Sequence, residues 1–560
     1  MKANIFVKGL ASLLTAGMLV GCSSDYLQVD PVTGITASTV QNTEEGAQAA
    51  LYGLCRAMYC QYSDYQSYLS PNGESYTMML FGDVMGQDYF SFFWGSRLGA
   101  YYRFEQMTNQ LGWPNAWAWS YYYNLVNQAN NILLNIDNID GNRDKLNFIK
   151  GQALTIRSHA FVRLLQIFGP RWADSDEGRK LSIVMRLDPA VADCPLSSMA
   201  DVLDQVYDDL DTAIPLMEGN SVQRHYIWEV DEDVARGIYA RAALLKNDYE
   251  TAQEMARLAR RYYPIMSAKD YQGGFAEANS EYMWANAAEV VGIYYWAHGS
   301  FYACQGAYVD WGDGVGAINY ELYKKIPNGD IRANLFWTPD KLREINGISM
   351  RKTAFWNADI CDPANMDMFK KNANMKNQLL VFGGSVIPDG DTEKWKQPYQ
   401  ARGGGSNESM GIPFGAQYKF WGLDDWGTNS FPFMRGAEML LTEAEAACHN
   451  NDPETARACL TELNAQRNPN YDCSNLSGDA LLEEVKLQRR IELWGEGFNW
   501  FDLKRWNEPL VRNAWEQNNV NSNNIPLQYK LTVTPDAANG WRYAIPLRET
   551  QYNNAINIAD

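Results

Sequence analysis

Histidine is nearly missing from this chain. Only His159, His225, His298 and His449 occur in 560 residues, and none stands in an H-E-x-x-H pair. There is no G-x-S-x-G elbow and no phosphate-binding P-loop. The metallopeptidase, serine-hydrolase and nucleotide-binding chemistries that these motifs carry therefore have no support. His159 sits between Ser158 and Ala160 in a helical pattern, which suits a packed or solvent-facing side chain better than a base. Carboxylate chemistry is not excluded: 67 acidic residues make chance pairs inevitable, and the separation that glycoside hydrolysis needs is spatial.

Basic residues are also short. Lys and Arg number 48 against 67 acids, for a net charge of −19. A chain this acidic repels phosphate backbones, so nucleic acid is not an expected partner. The nine cysteines are scattered without a C-x-x-C pair, which argues against a zinc or redox motif. Cys55/Cys60 and Cys448/Cys459 are close in sequence, and disulfides between them stay open. No cofactor or metal is expected. Asp310, Asp313 and Glu321 faintly suggest a calcium loop, but acids at the third and fifth positions and a glycine at the sixth are missing. Past residue 21, no apolar run approaches the roughly 20 residues that cross a bilayer.

What is present begins at the N-terminus. Met1, Lys2 and Lys8 precede a short apolar run, Gly9–Val20, which ends in Leu19-Val20-Gly21-Cys22. A cationic start, a short apolar centre and a small-residue cut mark a secretory signal. Cysteine directly after the cut resembles a bacterial lipoprotein signal, with Cys22 as the acylated first residue. The predicted organisation is a signal over 1–21, a lipidated, polar and turn-rich spacer over 22–43, and one domain over 44–560.

Within that domain, apolar residues recur at helical spacing. Helices are predicted from Glu44, over Trp119–Ile136, over Gly151–Phe168 (stopped by Gly169-Pro170) and over Asp201–Met217. Two Ala-rich hairpins follow. Asp233–Leu245 and Glu250–Tyr262 flank Lys246-Asn247-Asp248-Tyr249, and a second copy spans Met434–Asn464 around Asn450-Asn451-Asp452-Pro453. Both resemble tetratricopeptide units of about 34 residues. Residues 268–432, with Gly403-Gly404-Gly405 and Pro breakers, read as irregular, with short helices and a few strands. Leu481–Trp494 is again helical. The class is all-α dominated: helical hairpins within 44–265 and 434–506, and an irregular, loop-rich insertion over 268–432.

Three stretches are similar to the SusD/RagB family, outer-membrane nutrient-binding lipoproteins of Bacteroidetes-type bacteria. Arg435-Gly-Ala-Glu-Met-Leu-Leu-Thr-Glu-Ala-Glu-Ala447 resembles the family's R-x-A-E-x-x-L-x-x-A-E-A helix. Gln488-Arg489-Arg490-Ile491-Glu492-Leu493-Trp494-Gly495-Glu496-Gly497, continued by Phe501-Asp502-Leu503-Lys504-Arg505-Trp506, resembles R-R-x-E-L-x-x-E-G-x-R-x-x-D-L-x-R-W. The ending Tyr543-Ala544-Ile545-Pro546-Leu547, with Asn553 and Asn554, is similar to the family's finish, although no Pro follows the Asn pair. The resemblance implies about four tetratricopeptide-like hairpins with an irregular second half packed on them. It implies a non-catalytic protein that binds glycan at the cell surface and hands it to a TonB-dependent outer-membrane transporter (SusC-like). It also leaves open a peptide-binding, RagB-like role; a scaffold with only protein partners is a separate alternative. In the second motif, Arg489, Arg490, Glu492 and Glu496 at helical spacing are read as a fold clamp of ion pairs.

A sugar has C–H-lined faces and hydroxyl edges, so its site needs aromatic area beside charged or amide groups. Twenty aromatics fall in the 65 residues Tyr59–Tyr123, against 13% in the whole chain, which directs attention there. Asp83–Arg97 mixes rings, charges and three glycines in one predicted loop, where ligand contacts tend to lie. Tyr294–Asp313 offers a second such mixture. The expected glycan contacts are Trp94, Tyr89, Tyr302 and Trp311, with Asp83, Asp88 and Arg97 as polar partners. Trp421, Asp424, Asp425 and Trp426 form a weaker third set, and Trp117, Trp119 and Tyr121–Tyr123 are expected in the core.

Overall fold

The computed structural model describes residues 42–60, 73–91, 99–272, 277–287, 316–336, 429–514, 529–537 and 541–556, with short pieces at 275, 398–399, 410–411, 417, 419–420, 523 and 525. Most helices begin at a side chain that accepts an otherwise orphaned N–H. Thr43 caps α1 (Glu44–Ala57), taking a hydrogen bond from the Gly46 N–H at 3.0 Å. Pro114 stands in the first turn of α2 (Trp113–Leu133). Asn142 caps α3 (Arg143–Phe168), and Gly169-Pro170 ends it. Ser198, Asp231 and Asp248 cap α4 (Met199–Met217), α5 (Glu232–Lys246) and α6 (Tyr249–Ala259). α7 (Gly436–His449), α8 (Pro453–Ala465, capped by Asp452), α9 (Gly478–Glu492) and α10 (Asn499–Trp506) follow. The expected helices are all found. α2 and α3 start six and eight residues earlier than periodicity indicated, because their first turns are held by Pro114 and Asn142 rather than by an apolar stripe.

Consecutive helices α2 to α6 pack side by side, and so do α7 to α9. α6 also packs on α7, with the whole irregular region between them in sequence. The Tyr249 and His449 rings stack there with centroids 3.8 Å apart and 11° between planes. Arg260 reaches Glu443 at 2.6 Å and Glu462 at 2.9 Å. Ala243, Ala252 and Ala446 share a small buried cluster at this seam, so short side chains let the helices approach. The two Ala-rich hairpins thus form one continuous stack.

The irregular region leaves and returns at one place. β4 (Tyr282–Ala285) pairs antiparallel with β6 (Pro432–Arg435). Other two-stranded ribbons join β1 (Tyr89–Ser91) to β5 (Gly316–Ile318), β2 (Leu181–Val184) to β3 (Leu196–Ser198), and β7 (Leu510–Arg512) to β8 (Leu531–Val533). α3 is buried almost all round, as a central helix must be, and its charged residues need partners. Arg157 makes two bonds to Asp209, at 2.8 and 2.6 Å. Arg163 pairs with Glu74 Oε1, and His159 lies 3.1 Å from Oε2, which also accepts from the Tyr122 hydroxyl at 2.7 Å. Burial would raise the Glu74 carboxyl, but Arg163, His159 and Tyr122 outweigh it and hold it at about 2. Burial lowers His159 below its ordinary value, so it is a neutral core residue at pH 7. Among the described residues, Cys55, Cys194, Cys448, Cys459 and Cys473 are free thiols.

Candidate binding site and the charged clamp beneath it

The segment expected to carry ligand contacts begins in the protein interior. Residues Gly73–Thr77 form an α-turn that widens into a π-helix over Met78–Val84. Arg512, on β7, closes the end of that helix. Its guanidinium donates to the carbonyls of Val84, Met85 and Gly86 and lies 3.6 Å from the centre of the Tyr102 ring. No carboxylate is among these partners; helix-end carbonyls supply the compensating negative charge. Burial draws the guanidinium down to about 10, so it stays a cation at neutral pH.

Two glycines set the next contact. A Cβ on Gly82 would clash with the Gly497 backbone, and Gly497 itself is held at φ +83° against Met78. This close approach lets the Gly497 N–H donate to Asp83 at 2.8 Å. Asp88 is held harder. Arg490 donates to both its oxygens at 2.8 and 2.6 Å, and the Asn499 amide adds a third bond at 2.6 Å. The Trp494 indole donates to the Asp88 carbonyl at 2.9 Å. Tyr89 stacks on that Trp494 ring at 6.0 Å.

Asp83, Asp88 and Tyr89 are therefore 2%, 2% and 1% exposed. They were expected on an open loop beside ligand; their side chains instead point into the fold and bind it. The reason is the second family motif: Arg490, Trp494, Gly497 and Asn499 all grip this one segment. Trp94, Arg97, Tyr302, Trp311 and Cys22 lie outside the described residues, as do Trp421, Asp424, Asp425 and Trp426.

The β1–β5 ribbon carries the more useful geometry. Tyr89 pairs with Ile318, and Ser91 pairs with Gly316. Asn319 adds a bond from its N–H to the Asp88 carbonyl at 2.9 Å and from its amide to the Gln87 carbonyl at 2.8 Å. The ribbon thus joins Tyr89–Ser91 to Gly316–Ile318, more than 200 residues apart in sequence.

Beneath this ribbon lies a buried charge cluster. Arg435 bonds Glu281 at 2.7 Å, Glu492 at 3.0 Å and Glu496 at 2.7 Å. Arg467 reaches Glu492 at 3.0 Å, Arg332 reaches Asp330 at 2.6 Å, and Lys419 reaches Glu496 at 2.5 Å. Four cations meet four carboxylates, so the cluster is neutral. It joins β4, β6, α8, the end of α9 and the irregular region. Burial pushes the Lys419 ammonium down to about 8 against the pull of Glu496. The clamp expected from Arg489, Arg490, Glu492 and Glu496 is present and larger than expected. Glu281, Lys419 and Arg467 carry no local signal of their role, because their partners are distant in sequence; Asp330 and Arg332 pair locally, and the Arg332 contact with Glu492 at 3.4 Å brings them into the cluster.

Two open clefts flank the C-terminal segment. One, of about 510 Å³, is lined by Trp119, Tyr123, Arg186 and Glu549; the other, of about 350 Å³, by Phe168, Leu181 and Tyr543. Neither is lined by an expected contact. Among the described residues no His, Cys, Asp and Glu group is suited to hold a metal ion, and no helix is long and apolar enough to cross a membrane.

Two family models match the sequence. That described as "SusD family" covers residues 351–557, and that described as "Starch-binding associating with outer membrane" covers residues 70–244. The chain belongs to the SusD-like family. No curated protein matches it. Its SusD-like fold is shared by solved structures. A SusD-like carbohydrate binding protein from Bacteroides vulgatus is 22% identical, with a TM-score of 0.60 over 92% of this chain and 97% of that one. A SusD superfamily protein from Bacteroides thetaiotaomicron is 20% identical, with a TM-score of 0.64 over 92% and 99%. One from Bacteroides fragilis is 17% identical, with a TM-score of 0.63 over 92% and 100%. At these identities the likeness shows the fold. The helical hairpins read from the sequence are thus those of the SusD-like scaffold.

Proposed function

We propose that this protein binds oligosaccharide or polysaccharide at the cell surface and delivers it to a TonB-dependent outer-membrane transporter, without chemistry of its own. The observation that carries this reading is the Ser91–Gly316 pairing, since both aromatic-rich segments start from it. Trp94 stands three residues beyond Ser91, and Trp311 stands five before Gly316. At ~3.5 Å per residue, the chain keeps both within about 20 Å of the ribbon's end, the span of a short oligosaccharide. In this reading Trp94, Trp311 and Tyr302 stack on sugar faces and Arg97 fixes hydroxyls. Asp83, Asp88 and Tyr89 act one step back, as the anchors that hold the ribbon.

The description of the matching model, starch-binding and associated with the outer membrane, supports a glycan ligand and that location. The Cys22 pattern supports a lipid anchor. Non-catalytic action is supported by the engagement of the described carboxylates Glu74, Asp88, Glu492 and Glu496 in ion pairs. The test is affinity electrophoresis through gels cast with starch, other α-glucans, β-glucans and fructans, together with assay of the same glycans for released products. Retardation by at least one glycan without product is expected. Migration unaffected by every glycan would favour the peptide-binding alternative, and product release would end the non-catalytic reading.

A further inference from the structure

A small, partly open cavity of about 30 Å³ lies where α3, α5 and α10 meet. Six cationic side chains line it (Arg163, Arg171, Arg241, Arg489, Lys504 and Arg505), against the single carboxylate of Asp502. Five of the six have acidic partners. Arg163 pairs with Glu74 at 2.6 Å, Arg171 with Asp174 at 2.5 Å, and Arg241 with Glu438 at 2.7 Å. Arg489 pairs with Asp502 at 2.7 Å, and Arg505 with Asp502 at 2.9 Å and with Glu445. Five carboxylates thus face six cations, and the uncompensated one is Lys504.

Lys504 is 3% exposed. It donates to the Gln166 carbonyl at 2.7 Å and the Gly169 carbonyl at 2.9 Å, at the C-terminal end of α3. An ammonium carries three N–H groups, so one remains. Two more donors are unspent on this lining: the buried Nη1 atoms of Arg171 and Arg241 have no hydrogen-bond partner among the described residues. Buried donors left unmade are costly, and an uncompensated buried charge is costlier. Water satisfies the first deficit and leaves the second. An anion satisfies both. A cavity of this volume admits one or two water-sized bodies, which suits a monatomic anion and is too small for a tetrahedral oxyanion.

We propose that this cavity is a structural anion site that takes one chloride-sized monovalent ion, held by Lys504, Arg171 and Arg241. Burial and the neighbouring Arg171 and Arg542 depress the Lys504 ammonium well below its ordinary value, with Asp174 pulling against them as the smallest influence; a bound anion adds to that pull. The site is separate from the β1–β5 ribbon and does not depend on the glycan reading.

The test uses the whole soluble mature chain. Crystals soaked in sodium bromide should show an anomalous bromide peak in this cavity, and an anomalous map with no peak there overturns the proposal. In solution, the melting temperature of the unmodified protein should rise as chloride replaces gluconate at constant ionic strength, because a ligand that binds only the native state stabilises it by mass action. Lys504→Met, which removes the surplus charge and its free N–H, should abolish that chloride dependence. Equal melting curves for the unmodified protein in the two anions would also overturn it.

Discussion

Arg490 holds Asp88 through two parallel hydrogen bonds, Nε to Oδ2 at 2.8 Å and Nη2 to Oδ1 at 2.6 Å, across 402 residues of sequence. This pair fastens the segment leading to Trp94 onto the SusD motif helix α9. It separates residues that build the ribbon from residues proposed to meet ligand. Asp88→Asn leaves a largely buried guanidinium without its counter-charge. Removing one member of a buried pair costs about 3–5 kcal/mol, and the slight exposure of Arg490 puts the expected loss near about 3 kcal/mol. Urea unfolding followed by circular dichroism measures it; a loss within experimental scatter of zero would contradict the anchoring role.

Trp94→Ala and Trp311→Ala should behave in the opposite way. Each is expected to weaken glycan retention at least about tenfold, the scale of a stacking aromatic anchor of 2 kcal/mol or more, while leaving the unfolding midpoint in place. Retention equal to the unmodified protein for both variants would remove these two rings from the site.

In the central cluster, Glu492 is shared by Arg435, Arg467 and Arg332. Glu492→Gln keeps the shape and removes the charge, leaving four cations (Arg435, Arg467, Arg332 and Lys419) facing the three carboxylates of Glu281, Asp330 and Glu496. The expected loss is about 3–5 kcal/mol, seen as a lower melting temperature. Glu454→Gln, on a largely exposed pair with Arg457, should cost under about 1 kcal/mol and serves as the comparison.

Acid should unfold the protein in a defined window. Glu74 and Glu445 are each held at about 2, against 4.5 when free, by arginines that outweigh their burial. Below about pH 5 the unfolded chain takes up protons that the native state refuses, so stability falls as pH drops towards 2. Each group accounts for about 3 kcal/mol by linkage. His159, lowered by burial, acts in the same direction from pH 6.5 downward. Glu74→Gln should flatten the pH dependence of the unfolding free energy between pH 5 and 2, and an unchanged slope would refute the assignment.

Gly497 has φ +83°, and a Cβ there would run into Met78. Gly497→Ala is expected to cost about 3 kcal/mol from overpacking and strain together. Gly219→Ala, also at positive φ (+68°) but with open space around it, should cost only about 1 kcal/mol. Comparing the two melting temperatures separates backbone strain from collision.

Much of the helical stack is legible in the sequence, because the signals are local. Apolar residues at three- and four-residue steps mark α1 and α4 to α8 within a few residues, and Gly169-Pro170 marks the end of α3. The Arg489–Gly497 motif reads as a clamp because Arg489, Arg490, Glu492 and Glu496 at helical spacing can form ion pairs between neighbouring elements. The binding segment was less legible. Asp83, Asp88 and Tyr89 have the composition of an exposed sugar loop, and composition does not say which way a side chain faces. Their burial follows from Arg490, Trp494 and Asn499, which lie some 400 residues on.

The sequence by itself determined the helix-hairpin class, the signal-like start, the absence of motif-borne catalysis and membership in a family. Each of these rests on periodicity, composition or contiguous motif, which need no knowledge of distant contacts. Only the tertiary structure decided that Ser91 and Gly316 pair in one ribbon, that Asp83 and Asp88 are anchors, and that six cations around a small cavity have five counter-charges. Those outcomes depend on which remote residues meet, and Coulomb compensation inside a low-dielectric interior can be counted only once they have met.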